Sequence, residues 1–378
     1  MDRVTDFIVG QKPICVTVSG GEVLLVFDLI KPYINKLLKS GIQIRLFTNG
    51  SLVTSEIAEF CVQNDIHIML SFPSCDPVVF EQTTKTKGSY ERTIKGMDIL
   101  KRFGVNFQPN IVVTTLNLHT VSNTVMFLHN HYAPEGIFVS RVTMPNHADD
   151  QTRKLLLSNK ELEEMFDTCV ALSKKYPIRI KTCGGFPLCA FHTKDAYRIF
   201  GKICGAGGKD IVVTSDGNIR ACTRDEHVYG NIFNESFDEI RLRIQNWRKS
   251  EIPAECRGCH SAEICRGGCH MASTNDTRSP SSLDANALTK RSPLKIKVGQ
   301  KRPRRFHTYA LKDLKHTEFY EIDRLSCGIA YDFFAPHLAS YILSCNTVSV
   351  QSLKKELDLS TKDAKEILIR LLRIGAIE

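Results

Sequence analysis

The sequence has no apolar run long enough to cross a membrane. None of its segments approaches the ~20 consecutive apolar residues that a spanning helix needs. The first residues, MDRVTDFIVGQKPICVTV, lack the basic stretch followed by an apolar stretch that marks a secretory signal. We therefore expect a cytosolic protein with no membrane partner.

Aromatic residues are absent from the most basic part of the chain. The formal net charge is +9, and much of it lies at 290–305, KRSPLKIKVGQKRPRR, which has no aromatic side chain for stacking on bases. A cysteine that binds metal does so as a thiolate, so a handful of ligand thiolates offsets much of the positive charge. A charge run of this kind is typical of a solvated linker, and we expect no nucleic-acid partner.

Cysteine, by contrast, is abundant. Fourteen cysteines in a cytosolic chain indicate metal or redox chemistry rather than a disulfide framework. Eight of them lie between Cys183 and Cys269. The four that lie in periodic segments before this region are predicted to be small buried hydrophobic residues, namely Cys15, Cys61, Cys75 and Cys169.

Residues 1–180 alternate strand-like with helix-like segments. Predicted strands are ICVTVS, IQIRLF, IHIMLSF, NFQPNIVVTT and GIFVSRV, and a helical pattern follows each of them. Such alternation predicts five βα units and an α/β fold with a parallel sheet. Ligands of these folds bind at the carboxyl ends of the strands. Those ends carry SGGE, TNG, SFPS, TTLN and SRVTMP.

The rest of the chain divides into three parts. Glycine and cysteine rise over 181–271, and 272–305 has no periodic pattern and is predicted to be a linker or long loop. Residues 306–378 regain strand-like and helix-like segments. Their order, strands followed by two helices, predicts a small winged-helix-like domain.

The cysteine spacing indicates a metal site. The pattern is Cys204-x12-Gly217-x4-Cys222, then Cys256-x2-Cys259-x5-Cys265-x3-Cys269. An Asp-Gly turn in IVVTSDGNIRAC predicts a hairpin that returns Cys222 towards Cys204. The last four cysteines alone could hold one tetrahedral zinc ion. That site would leave Cys204, Cys222, Cys183 and Cys189 spare, so the supply of thiols favours two iron–sulfur clusters of four thiolates each.

This spacing resembles the SPASM domain, the twin-cluster extension of radical SAM enzymes. PAECRGCHSAEICRGGCHMAS and the DG-x4-C hairpin both match it. The barrel part is similar too: SGGE resembles the family's GGEP motif with Val23 in place of proline, TNG follows, and KTKGSYERTIKGMDIL resembles a later segment. The likeness covers residues 7–271 and implies a partial (β/α)6 TIM-type barrel that lacks its first strand, with domains at 1–180 and 181–271.

The resemblance also implies the cluster ligands. It assigns Cys204, Cys222 and Cys269 to a first auxiliary 4Fe-4S cluster. A fourth ligand for that cluster is Cys183 or Cys189, of which Cys189 is preferred as the thiol nearest upstream of Cys204. The second auxiliary cluster takes Cys256, Cys259 and Cys265. Its last ligand in the family is absent here, so either Cys327 returns to it, or an iron is left with His270, Asp284, water or substrate.

S-adenosylmethionine is the cofactor that the resemblance implies for the barrel. The residues that match the family's cofactor-facing positions lie at the strand ends: Ser19, Gly20, Gly21, Glu22, Asn49, Ser71, Asn117 and Arg141. In the family a separate Cys-x3-Cys-x2-Cys cluster cleaves this cofactor, and that motif does not occur in the 378 residues. We expect either a truncated start, which the remaining motifs favour, or a protein that has lost the cleaving cluster.

Three functions are compatible with these patterns. The first, which the resemblance implies, is a radical SAM maturase, an oxidoreductase that modifies a peptide or protein. Its C-terminal domain would hold the peptide, and its partner would be an electron donor such as a flavodoxin or ferredoxin. The second is a non-catalytic iron–sulfur protein that carries electrons or binds peptide. The third is a zinc-stabilised regulator that binds DNA through the basic linker and the C-terminal helices.

Overall fold

The computed structural model describes most of the barrel region and part of the chain beyond it. The described residues are 1–11, 13, 15–143, 150–201, 204–207, 210–249, 252–259, 261–272, 283–284, 286–288, 318–321, 330–333, 349–357, 360–361 and 364. Most of the predicted linker at 272–305 lies outside the described residues. Cys327 lies outside them too. So does most of the second predicted C-terminal helix.

A parallel sheet of six strands forms the core of the chain. The strands are paired in sequence order. They are β1 (Cys15–Val18), β2 (Gln43–Thr48), β3 (His67–Ser71), β4 (Phe107–Val113), β5 (Ile137–Arg141) and β6 (Ile180–Lys181). The predicted α/β class and partial TIM-type barrel are confirmed. β6 was not predicted, because two residues carry no periodic signal.

Helices cover one face of this sheet. In chain order they are α1 (Asp2–Gln11), α2 (Phe27–Lys39), α3 (Ser55–Gln63), α4 (Pro77–Thr84), α5 (Ser89–Phe103), α6 (Val121–Tyr132), α7 (Asp150–Arg153), α8 (Asn159–Lys175) and α9 (Lys194–Phe200). Strand residues such as Leu46, Leu70 and Ile111 are fully buried in the main hydrophobic core. β3 and β5 have runs of consecutive buried residues, as expected of strands in a parallel sheet.

A small antiparallel sheet follows the barrel. Its strands are β7 (Val212–Val213), β8 (Asn218–Arg220) and β9 (Gly230–Asn231). The predicted Asp-Gly hairpin is present, with Gly217 at φ +84°. α10 (Phe237–Lys249) packs on this sheet through Ile240 and Ile244 to form a second small core.

The remaining described elements are short. α11 (Ala262–Cys265) lies within the cysteine-rich segment. β10 (Glu318–Glu321) and β11 (Ala330–Phe333) form an antiparallel pair, and α12 is Val350–Leu357. These elements agree in kind with the predicted C-terminal strands and first helix. Among the described residues, no helix is both long enough and apolar enough to cross a membrane.

Candidate cofactor and iron–sulfur site

The side chain of Glu22 holds two of the predicted motifs together. Its Oε1 accepts hydrogen bonds from the Thr48 hydroxyl at 2.6 Å and from the Leu24 amide at 3.1 Å. Its Oε2 accepts one from the Asn49 amide at 2.8 Å. These bonds fix the turn after β1 against the turn after β2. The two turns are neighbours because β1 and β2 pair in parallel. Thr48, the first residue of the TNG motif, is part of this link.

Five of the predicted cofactor-facing residues lie on an open edge of the sheet. Ser19, Gly20 and Gly21 are exposed at the end of β1, and Asn49 and Ser71 are exposed at the ends of the next two strands. No heavy atom would lie within 4 Å of a Cβ built on either glycine. A ligand can therefore approach the backbone of this turn closely.

Asn117, in the loop after β4, is buried and not exposed. It is fully buried, its Oδ1 accepts the Thr114 amide at 2.7 Å, and its Nδ2 donates to the carbonyls of Pro73 and Val112 at 2.8 and 3.0 Å. Both of its amide hydrogens are engaged in these bonds. In this structure Asn117 stabilises the loop after β4 and does not present its amide to a cofactor.

Arg141 is buried and paired. It is 4% exposed, and its guanidinium donates to both carboxylate oxygens of Asp284, with Nη1 to Oδ1 at 2.8 Å. It also donates to Asn286 and to the carbonyl of Gly185. The arginine at the end of β5 thus points into the cysteine-rich part of the chain. It is not part of the open edge with Gly20 and Gly21.

Asp284 completes this connection on the cysteine side. Its Oδ2 also accepts the backbone amide of Cys269 at 2.8 Å, and its Oδ1 accepts that of Asn286 at 2.9 Å. Both oxygens are occupied in the described structure, whereas the sequence had suggested Asp284 as an alternative iron ligand. No sequence pattern marks this residue, because the segment around it has no periodicity.

Three cysteines form one group of interacting thiols. Burial, and then the charges of Cys204 and Cys269, raise the pKa of the Cys222 thiol to about 11. Burial, and then the charges of Cys204 and Asp284, raise the pKa of the Cys269 thiol above its ordinary value. These are the three thiols that the resemblance assigns to the first cluster. We call them the first thiol group.

Four other cysteines form a second group. Burial, and then the charges of Cys189 and Cys259, raise the pKa of the Cys256 thiol to about 11. Burial, and then the charges of Cys189 and Cys256, raise the pKa of the Cys265 thiol to about 11 as well. Cys256, Cys259 and Cys265 were expected together. Cys189 was expected in the first group, but the structure brings it to this one. We call the four the second thiol group.

The three remaining candidates have separate positions. Cys183 is disulfide-bonded, and its backbone amide donates to the Ser140 hydroxyl at 3.0 Å beside β5. Cys327 lies outside the described residues. His270 is buried next to the ring of Trp247, with 5.5 Å between the ring centroids.

The donor chemistry of the two groups suits iron–sulfur clusters. Burial among other thiolates disfavours the charged form of a cysteine unless a cation is bound beside it. Sets of soft sulfur donors select such clusters, zinc or copper(I). In the part of the chain that the structure describes, no three His, Cys, Asp or Glu side chains converge closely enough to hold a single metal ion. The fit to clusters rests on the number and grouping of the thiols.

The chain is similar in sequence to several known proteins. The chain is 24% identical over 278 residues to the AdoMet-dependent heme synthase of Methanosarcina barkeri, covering 68% of this chain and 77% of that protein. It is 22% identical over 300 residues to AlbA, the antilisterial bacteriocin subtilosin biosynthesis protein of Bacillus subtilis, covering 73% and 61% respectively.

Solved structures and family models agree with this likeness. The fold is similar to that of anSMEcpe with bound AdoMet (TM-score 0.59, 16% identity, 76% of this chain and 84% of that one). It is equally similar to Streptococcus suis SuiB (TM-score 0.59, 17% identity, 76% and 69%). The model of the radical SAM superfamily matches residues 3–128, and that of the SPASM iron–sulfur cluster-binding domain matches residues 204–260. With the strand-end turns in the first match and the thiols around the second, the chain belongs to the radical SAM proteins that carry a SPASM domain.

Proposed function

We propose that this chain is a radical SAM/SPASM enzyme that modifies, or helps to modify, a peptide or protein. The observation that carries the proposal is the link from Arg141 through Asp284 to Cys269. It ties the cysteine-rich region directly to the sheet whose open edge carries the cofactor-binding motifs. A cofactor at that edge and clusters in the thiol groups would then belong to one site.

The chain's own residues have separate tasks in this proposal. The exposed turn at Ser19–Glu22, with Asn49 and Ser71 beside it, binds S-adenosylmethionine through backbone groups and short polar side chains. Both thiol groups hold auxiliary 4Fe-4S clusters, which supply one-electron transfer when bound. Cleavage of the cofactor needs a further cluster, and its Cys-x3-Cys-x2-Cys ligand motif does not occur in the 378 residues. An external electron donor is part of the proposal.

Peptide substrates are supported by several relatives. The name of AlbA refers to bacteriocin biosynthesis. SuiB has been solved bound to the precursor peptide SuiA, and anSMEcpe with the Cp18Cys peptide. In this chain the antiparallel pair β10–β11 could take up a peptide as an added strand, a common mode of peptide recognition.

A second candidate is a role in SAM-dependent heme synthesis. It is favoured by the heme synthase relatives, such as that of M. barkeri, which match over about two thirds of this chain. The two candidates differ in what the chain binds. A titration with heme, followed by visible absorption, should leave the spectrum of heme unchanged if the substrate is a peptide. A saturable shift at one heme per chain would favour the second candidate.

Binding of S-adenosylmethionine tests the proposed cofactor edge. We expect the anaerobically reconstituted chain to bind it in equilibrium dialysis, and Glu22→Gln to weaken binding about tenfold or more, because the amide cannot hold the turns after β1 and β2 as the carboxylate does. Glu59→Gln is the matched control, since Glu59 is exposed and bonds only to Gln63 within α3.

The outcomes separate the alternatives. Binding that depends on Glu22 but not on Glu59 supports the proposed edge. Bound clusters without any affinity for the cofactor would instead favour the non-catalytic iron–sulfur protein. A colourless protein that contains zinc, and binds DNA with an affinity that falls steeply with salt, would favour the regulator.

A further inference from the structure

The backbone beside Cys189 contacts the second thiol group directly. The amide of Leu188 donates a hydrogen bond to the sulfur of Cys265, with 3.3 Å from nitrogen to sulfur. Since Leu188 immediately precedes Cys189, this bond fixes the position of the Cys189 segment at the start of the cysteine-rich loop. The sulfur of Cys189 itself accepts the amide of Leu288 at 3.1 Å.

A close backbone approach holds the two segments in this arrangement. Gly268 has φ +95°, and a Cβ at that position would lie 3.0 Å from the backbone nitrogen of Pro187 and 2.7 Å from Oδ2 of Asp284. Only glycine fits there without displacing the segment that leads to Cys189. The contact between 187–189 and 265–268 is therefore built into the loop and does not depend on one flexible side chain.

The electrostatic neighbours of Cys189 point the same way. The charge of Cys259 raises the pKa of the Cys189 thiol, after the larger effect of burial, and Cys189 acts in turn on Cys256 and Cys265. The first thiol group is held instead near Gly185, where a Cβ would lie 3.2 Å from that of Cys204.

We propose that Cys189 is the fourth thiolate ligand of the second cluster, together with Cys256, Cys259 and Cys265. The proposal rests on the proposed function, and it differs from the ligand set that the resemblance implied, in which Cys189 belongs to the first cluster. It gives the second cluster a complete set of four cysteines. The described thiols of the first cluster are then Cys204, Cys222 and Cys269.

The same geometry gives the second cluster two amide donors. The amides of Leu188 and Leu288 point at the sulfurs of Cys265 and Cys189. Hydrogen bonds to ligand sulfurs stabilise the more negative, reduced state of a cluster and so raise its reduction potential.

Iron counting in double variants tests the assignment. The full chain is reconstituted anaerobically with iron and sulfide, and the wild type should hold about eight iron atoms. Cys189→Ala and Cys256→Ala should each lose about half of them, and the double variant should lose no more than either alone. The double variant that combines Cys189→Ala with Cys204→Ala should lose nearly all of its iron. The matched control is Cys75→Ala, a half-buried cysteine outside both groups, which should keep the wild-type count.

The opposite pattern would overturn the assignment. If Cys189→Ala is additive with Cys256→Ala but not with Cys204→Ala, Cys189 belongs to the first cluster. Full iron retention in Cys189→Ala would exclude it from both. A wild type that binds no iron would instead refute the proposed function, and this outcome is distinct from either of the others.

Alkylation of the wild-type residue Cys189 avoids dependence on a variant at that position. In the reconstituted chain Cys189 should resist iodoacetamide, as read by mass spectrometry. It should become reactive in Cys256→Ala and stay protected in Cys204→Ala, provided both variants elute as folded protein. Reactivity in Cys204→Ala alone, or in the loaded wild type, would contradict the proposal.

Discussion

At the scale of single residues, two carboxylates each join segments that are distant in the sequence. Glu22 fixes the turn after β1 to the turn after β2 through Thr48 and Asn49. Asp284 joins Arg141 on the sheet to the backbone of Cys269. The first carboxylate organises the proposed cofactor edge, and the second couples that sheet to a proposed ligand of the first cluster.

Removing the charge of Asp284 should destabilise the protein strongly. The side chains of Arg141 and Asp284 are 3% and 0% exposed. Asp284→Asn leaves a buried guanidinium without its counter-charge, which costs about 3–5 kcal/mol. The free energy of unfolding in urea measures this loss. Asp6→Asn breaks the exposed pair with Lys36 and should cost little, because water screens that pair.

A double variant separates the charge from the packing. Arg141→Met combined with Asp284→Leu removes both charges and should recover much of the lost stability. It would still lack the acceptor for the Cys269 amide, so its first cluster should remain less fully loaded than that of the wild type. Equal stability of Asp284→Asn and Asp6→Asn would show that the buried pair does not hold the two regions together.

Sequence reasoning reached some of these residues and missed others for identifiable reasons. SGGE and TNG could be placed side by side, because carboxyl ends of adjacent parallel strands meet at one edge. Arg141 and Asn117 are at strand ends too, but their partners come from loops whose paths no periodicity reveals. Asp284 could not be found as a tether, since the segment around it has no pattern to place it.

At the scale of elements, the β7–β8 hairpin positions Cys222. Its tight turn was predictable, because an Asp-Gly pair close to apolar residues favours a hairpin. Gly217 has φ +84°, and the side chain of Asn218 donates to Asp216 at 2.8 Å. β8 ends two residues before Cys222, so the angle of the hairpin sets where this sulfur lies.

Gly217→Ala should weaken both the hairpin and the first cluster. The positive φ is strained for alanine by about 1–3 kcal/mol. Its Cβ would also lie 2.7 Å from Cε2 of Phe233. We expect a lower melting temperature and reduced iron content. The matched control is Gly184→Ala, where a Cβ would meet nothing within 4 Å. Equal effects of the two substitutions would show that the turn does not position Cys222.

At the scale of the whole molecule, a large barrel core supports a cysteine-rich region with little apolar packing of its own. The buried apolar side chains described between 252 and 272 are Pro253, Ala262, Met271 and Ala272, whereas the barrel core includes dozens of residues. We expect the proposed clusters to supply much of the stability of that region. The order of strands and helices in the barrel was predictable from periodicity.

The grouping of thiols was not predictable in the same way. Spacing predicted which region binds metal, but Cys189 is far from Cys256 along the chain. A long-range approach of two loops depends on tertiary packing, here on the contact of Pro187 with Gly268. The family resemblance implied that Cys189 is a ligand of the first cluster, whereas the structure favours its place in the second.

Iron removal should open the cysteine-rich region before the barrel. In hydrogen exchange after chelation, amides of 252–272 should lose most of their protection, because their packing depends on the clusters. Amides of β2, β3 and β4 should remain protected by the barrel core. Uniform loss of protection in both regions would mean that the clusters stabilise the whole chain as one unit.

The central claim is that the chain holds two four-iron clusters on two separate thiol groups. Mössbauer spectroscopy of the full chain, reconstituted anaerobically with iron-57 and sulfide, tests it most directly. The account predicts about eight iron atoms per chain, nearly all with the parameters of oxidised 4Fe-4S clusters, and about four after Cys256→Ala. A spectrum of mononuclear iron, or a single cluster lost equally with Cys204→Ala and Cys256→Ala, would contradict it.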